Sequence, residues 1–78
     1  MPLADLIAFL AKRLVDDPDA VAVERVEEDD AIVFRLRVAP DDVGKVIGRQ
    51  GRIARALRTI VRAGGARERR RVLLEIVE

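Results

Sequence analysis

The chain has 78 residues, half of them apolar, and a formal net charge of +1, which sets one modest core as the ceiling and makes folding the expectation. His, Cys, Ser, Tyr, Trp and Asn are absent, and Thr59 carries the only side-chain hydroxyl. Imidazole and thiolate metal sites and the usual nucleophile and base pairs are thereby excluded, so a binding protein without catalytic residue, metal or cofactor is expected.

Leu3, Leu6, Ile7, Leu10 and Leu14 recur at helical spacing, with Asp5 and Lys12 on the opposite side, which predicts a helix over 3–16. Asp16-Asp17-Pro18-Asp19 ends it, because proline cannot continue the ladder and biases the residue before it away from helical geometry. Two strands follow, Val21 to Glu27 and Ala31 to Ala39, joined by Glu28-Asp29-Asp30 as a hairpin connection. In the second, Ile32, Phe34, Leu36 and Val38 alternate with Val33, Arg35 and Arg37, the period of a sheet with one face covered. The first loses alternation at Arg25-Val26, where a bulge or an early end is expected.

Pro40-Asp41-Asp42 reads as a helix start, with carboxylates near the positive end of the dipole, and predicts a short helix over 41–47 that runs into Gly48. The other carboxylate pairs, Asp16 with Asp17 and Asp29 with Asp30, read likewise as turn and helix-start residues. Over 52–63, Ile53, Leu57, Ile60 and Val61 share one side of a helix while Arg55, Arg58 and Arg62 share the other. Gly64-Gly65 stops this helix as a cap would. A basic turn at 67–70 and an apolar strand from Val72 to Val77 complete a single domain over 1–78.

The net charge hides an asymmetry. Residues 1–40 carry five basic and nine acidic side chains, and residues 41–78 carry ten basic and five acidic. Between Asp42 and Glu68 every charged residue is basic: Lys45, Arg49, Arg52, Arg55, Arg58, Arg62 and Arg67. An anionic partner is the consequence. At the head of this run stands Val46-Ile47-Gly48-Arg49-Gln50-Gly51-Arg52-Ile53, a Gly-x-x-Gly step between two helices. Glycines there remove Cβ atoms that would hold a sugar-phosphate chain away, backbone N–H groups at the start of the following helix can face a phosphate, and Arg49, Gln50 and Arg52 supply charge and hydrogen bonds.

This motif resembles the Val-Ile-Gly-x-x-Gly-x-x-Ile signature of the KH domain, with the isoleucine one place early at Ile53 and Ala54 in its usual slot. The element order αββααβ is similar to the type II arrangement, an α+β fold in which helices pack on one face of a three-stranded mixed sheet. Its second strand is central, antiparallel to the first and parallel to the last. The likeness covers nearly the whole chain and is most specific over 40–52, where it resembles the small stand-alone bacterial KH proteins of the KhpA kind. The resemblance implies a grip on short single-stranded RNA, with single-stranded DNA as the alternative. Gly48 to Gly51 would clamp phosphates, Ile47 and Ile53 or Ala54 would line the groove that takes the bases, and Lys45, Arg49, Gln50, Arg52 and Arg55 would complete the contact set. It also implies a homodimer, pairing with a larger KH protein of the KhpB kind, and a role as post-transcriptional regulator or RNA chaperone.

For Arg58, Arg62 and Arg67 to Arg71 a solvated surface and a phosphate track are both open readings. A second reading of the whole chain, from another class, is a dimerisation or scaffold module with only weak nucleic-acid binding. The start Met1-Pro2-Leu3-Ala4-Asp5-Leu6 lacks the basic leader of a signal peptide, and Asp5 and Lys12 interrupt the richest apolar stretch. A cytoplasmic protein that neither enters nor crosses a membrane is expected.

Overall fold

The computed structural model describes residues 1–77. The elements come in the expected order: α1 (Leu3–Leu14), β1 (Ala22–Glu27), β2 (Ala31–Arg37), α2 (Val43–Ile47), α3 (Arg52–Gly64) and β3 (Arg71–Val77), with single 3-10 turns at Pro18–Ala20, Pro40–Asp42 and Arg49–Gly51. α1 ends before Asp16, because Val15 is already extended at φ −93° and ψ 163°. The helix start at Pro40 is a 3-10 turn, and α2 proper begins only at Val43.

β2 is the central strand, antiparallel to β1 from Ala22 opposite Arg37 to Glu27 opposite Ile32, and parallel to β3 from Ala31 opposite Arg71 to Arg37 opposite Val77. Ile32, Phe34 and Leu36 are buried on the face that meets the helices, where Ile7 and Ala11 of α1, Val46 of α2, and Leu57 and Val61 of α3 close over them. Burial of this apolar set is the main force holding the fold. No helix covers the opposite face, although Ala31 and Val33 of β2 are buried there, and Arg35 lies between Glu24 at 3.9 Å and Glu75 at 3.7 Å.

No bulge interrupts β1. Its register runs unbroken through Arg25 opposite Phe34 and Val26 opposite Val33. The alternation fails because the strand lies at the sheet edge: Arg25 occupies the helix side yet stays exposed with its guanidinium 2.9 Å from Glu27, while Val26 shares the open face with Val33. The Gly64-Gly65 stop also works differently from the expected cap. Gly64 is still helical and Gly65 has φ −96°, so no left-handed residue ends α3. Space is what Gly65 provides, since a Cβ there would stand 2.5 Å from Val72 Cγ2.

Part of the basic turn is tied down rather than solvated. Arg70 reaches Glu27 Oε1 at 2.6 Å and donates to the Glu28 carbonyl at 3.2 Å, which clips the α3–β3 connection to the β1–β2 hairpin. Its neighbour Arg71 lies 3.9 Å from Asp30.

Candidate nucleic-acid interface

α2 and α3 meet at the Gly-x-x-Gly step, and the backbone there departs from helical geometry three times. Gly48 has φ 78° and ψ 170°, Gln50 has φ 57° and ψ 23°, and Gly51 has φ 74° and ψ 16°. The Gly48 N–H donates to the Gly44 carbonyl at 2.9 Å, ending α2, and the Gly51 N–H donates to the Gly48 carbonyl at 3.1 Å, closing the turn. Gln50 is the one residue other than glycine with positive φ among those described. A side chain held in that region costs about 1–2 kcal/mol, a strain that tends to gather where a backbone is shaped for a ligand.

The loop stands free of the rest of the fold. Arg49, Gln50 and Arg52 are exposed, and the Arg52 guanidinium donates to Gln50 Oε1 at 3.3 Å, which draws the two side chains together over the turn. The two glycines do different work. Nothing lies within 4 Å of a Cβ built on Gly51, so its surface is open to an approaching backbone, as the sequence suggested for both. A Cβ on Gly48 would instead stand 2.7 Å from Ile53 Cγ1, so the absent side chain makes room for Ile53. Ile53 and Ile47 are half-buried beside the loop, whereas Ala54 is buried in the core.

Two sets of cations contrast. Arg25, Arg35, Arg70, Arg71 and Lys45 all have carboxylate partners. Arg49, Arg52, Arg55, Arg58 and Arg62 are exposed and form no ion pair among the described residues. These five run from the loop along the solvent side of α3, and Arg58 and Arg62 face Val72, Leu73 and Leu74 across a shallow groove of about 230 Å³ between α3 and β3. Thus Arg49, Gln50, Arg52 and Arg55 are exposed, with Ile47 and Ile53 half-buried beside them, while Lys45 is drawn the other way, toward Asp16 at 3.2 Å and Asp42 at 3.4 Å. Hydrogen bonding to Asp16, and its charge, raise the Lys45 pKa above the usual lysine value.

Sequence reasoning missed Asp42, which reads as an ordinary helix start. The residue is 2% exposed, and Oδ2 accepts the Asp17 N–H at 3.0 Å. Burial pushes this carboxyl up, but the Asp17 and Asp16 N–H groups and Lys45 outweigh it and hold the group below its ordinary value. No group of three or more candidate metal ligands occurs among the described residues, and no described helix is long and apolar enough to cross a membrane.

A mixed sheet with its second strand central, helices on one face and a Gly-x-x-Gly turn joining α2 to α3 defines a type II KH domain. The KhpA/KhpB KH-domain family model matches residues 4–76, and the chain belongs to that family. It is similar to the RNA-binding protein KhpA of Caldanaerobacter subterraneus subsp. tengcongensis, 49% identical over 96% of this chain and all of the relative. The RNA-binding protein KhpA of Aquifex aeolicus is 53% identical over 97% of this chain and 96% of its own length. That of Listeria monocytogenes is 42% identical over 97% of this chain and all of the relative. No solved structure matches the chain significantly.

Proposed function

We propose that this chain is a non-catalytic, cytoplasmic RNA-binding protein, a single KH domain that grips short single-stranded RNA through Gly48 to Gly51. The observation that carries the reading is the open turn with five arginines, Arg49 within it and Arg52, Arg55, Arg58 and Arg62 after it, that have no carboxylate partner among the described residues, a surface whose charge is left for a polyanion. The names of its relatives support RNA as the polymer. Backbone N–H groups and Arg49, Gln50 and Arg52 hold phosphates, and Ile47 and Ile53 give unstacked bases an apolar wall. The proposal extends to a second copy or a larger KH protein of the KhpB kind as partner, and to a role in post-transcriptional control or RNA chaperoning; the shared KhpA/KhpB family model supports the relation to KhpB. Linking two weak sites in this way raises the overall affinity without new contacts.

The test is replacement of Arg49 and Gln50 together by Asp, with binding of labelled single-stranded RNA and DNA followed by anisotropy. The reading predicts loss of binding with the fold intact by circular dichroism. Retained binding would remove the loop from the interface and leave the dimerisation or scaffold role in its place.

A further inference from the structure

We infer that Asp42 is a positioning residue for the Gly48–Gly51 loop: its buried carboxylate joins the turn after α1 to the start of α2 and so sets the direction in which α2 delivers the loop. The inference rests on the RNA-binding reading above.

Asp42 is the only buried polar side chain among the described residues. It occupies the position just before α2, where an aspartate normally caps its own helix, yet it makes no such bond. Its carboxylate is turned instead to a segment far away in the chain. Oδ2 accepts the Asp17 N–H at 3.0 Å, and Lys45 closes the knot from α2, 3.4 Å from Oδ1 and 3.2 Å from Asp16 Oδ2.

α2 has five residues, far too few for a helix with stability of its own. Its one buried side chain is Val46. Half-buried Val43 also packs against the core, and Asp42 ties the start of the helix to the turn after α1, so the direction of this short rod toward Gly48 is set at its first turn as well as at Val46. From Asp42 to Gly48 the helical rise amounts to about 9 Å, so a tilt of about 10° would displace the loop by about 1.5 Å. Hydrogen bonds to phosphate do not survive such an offset. Buried ionic groups contribute little net stability compared with apolar side chains of the same volume, whereas fixing a particular geometry is a use to which they are suited. Because its carboxylate is enclosed, Asp42 acts through the loop and does not touch RNA.

The test is Asp42→Asn, which keeps the shape and one acceptor but loses the charge. The variant is expected to melt cooperatively and, well below its Tm, to bind labelled oligo(U) about three- to thirtyfold more weakly than the unaltered protein. The Gly48 and Gly51 amide resonances are expected to move. Unchanged affinity and loop resonances beside a lowered Tm would make Asp42 a merely stabilising residue and overturn the inference. In the unaltered protein, saturating oligo(U) is expected to slow exchange of the Asp17 amide, because coupling between two sites is reciprocal. That measurement reads the coupling even if the variant fails to fold, and an unchanged exchange rate overturns it. Should the unaltered protein bind no RNA, the functional reading alone falls. Displaced loop resonances in Asp42→Asn would then still support the hold of Asp42 on the loop, and unmoved ones would refute it.

Discussion

Ile53 Cγ1 lies 2.7 Å from the point where any residue other than glycine at position 48 would carry its Cβ, so Gly48 and Ile53 share one space. Gly48 also has a φ of 78° with ψ near 170°, a combination that is essentially glycine's alone. Gly51, at φ 74°, has open space around it. Gly48→Ala is therefore expected to destabilise the fold by about 3 kcal/mol, from strain plus overpacking, against about 1 kcal/mol for Gly51→Ala, from strain alone. Urea denaturation checks the order. Adding Ile53→Ala to Gly48→Ala should reveal a favourable coupling of about 1–2 kcal/mol, and additive effects would mean that the crowding is relieved elsewhere.

The stripe Arg55, Arg58 and Arg62 has its own test in salt dependence. If Arg58 and Arg62 track phosphates along the groove beside β3, each Arg→Gln change should reduce the slope of log K against log salt by about 0.7, the release expected per phosphate on a single strand. Arg13 packs 5.9 Å from the Phe9 ring centre on α1 and serves as the control. Arg13→Gln should leave the slope unchanged. Equal slopes for all three variants would return Arg58 and Arg62 to the solvated surface.

Acid should loosen the fold through two carboxylates whose pKa values are lowered in the folded state. Bonding to Arg70, then to Arg25, lowers Glu27, and the N–H groups of Asp17 and Asp16 with Lys45 lower Asp42 against the opposing effect of burial. A group lowered on folding stabilises fully above its unfolded value, 4.5 for Glu27 and 3.8 for Asp42, and that stabilisation is lost as pH falls through the folded one. Lys45 is raised above 10.5, so its contribution is complete below that pH and disappears as pH rises through the folded value. Thermal melts from neutral to pH 3 should show Tm falling mainly below pH 4.5, with a smaller acid-side loss in Asp42→Asn.

Position on the sheet decides what truncating a leucine costs. Leu36 on β2 is fully buried and Leu73 on β3 is 42% exposed on the open face. Leu36→Ala should cost about 2–5 kcal/mol and Leu73→Ala less than about 1 kcal/mol. Similar losses from chemical denaturation would mean that the open face is covered in solution.

Much of this architecture is legible in the sequence because it is local. The spacing of Leu3, Ile7 and Leu10, the alternation from Ile32 to Leu36 and the two glycines at 48 and 51 each declare a backbone conformation within a few residues. What escapes is what depends on residues distant in the chain. Arg25-Val26 suggests a bulge until β1 is known to be an edge strand, and Gly65 suggests a left-handed cap until Val72 is seen beside it. Asp42 reads as a helix start because nothing nearby reveals that Asp17 will donate to it. The contrast between Lys45 and the arginines of α3 is likewise invisible in one dimension: all belong to the same basic run, and only the fold brings Asp16 to Lys45 and leaves the others without an ion-pair partner among the described residues.

The parallel pairing of β2 with β3 has a consequence for biosynthesis. Ala31 meets Arg71 across that seam, so the strand at the centre of the sheet waits on the ribosome for a neighbour translated after both helices of the loop. Until then Phe34 and Leu36 lack one flank of their shelter, and a nascent chain halted ahead of Arg71 would display the Gly48–Gly51 turn without the floor that steadies it.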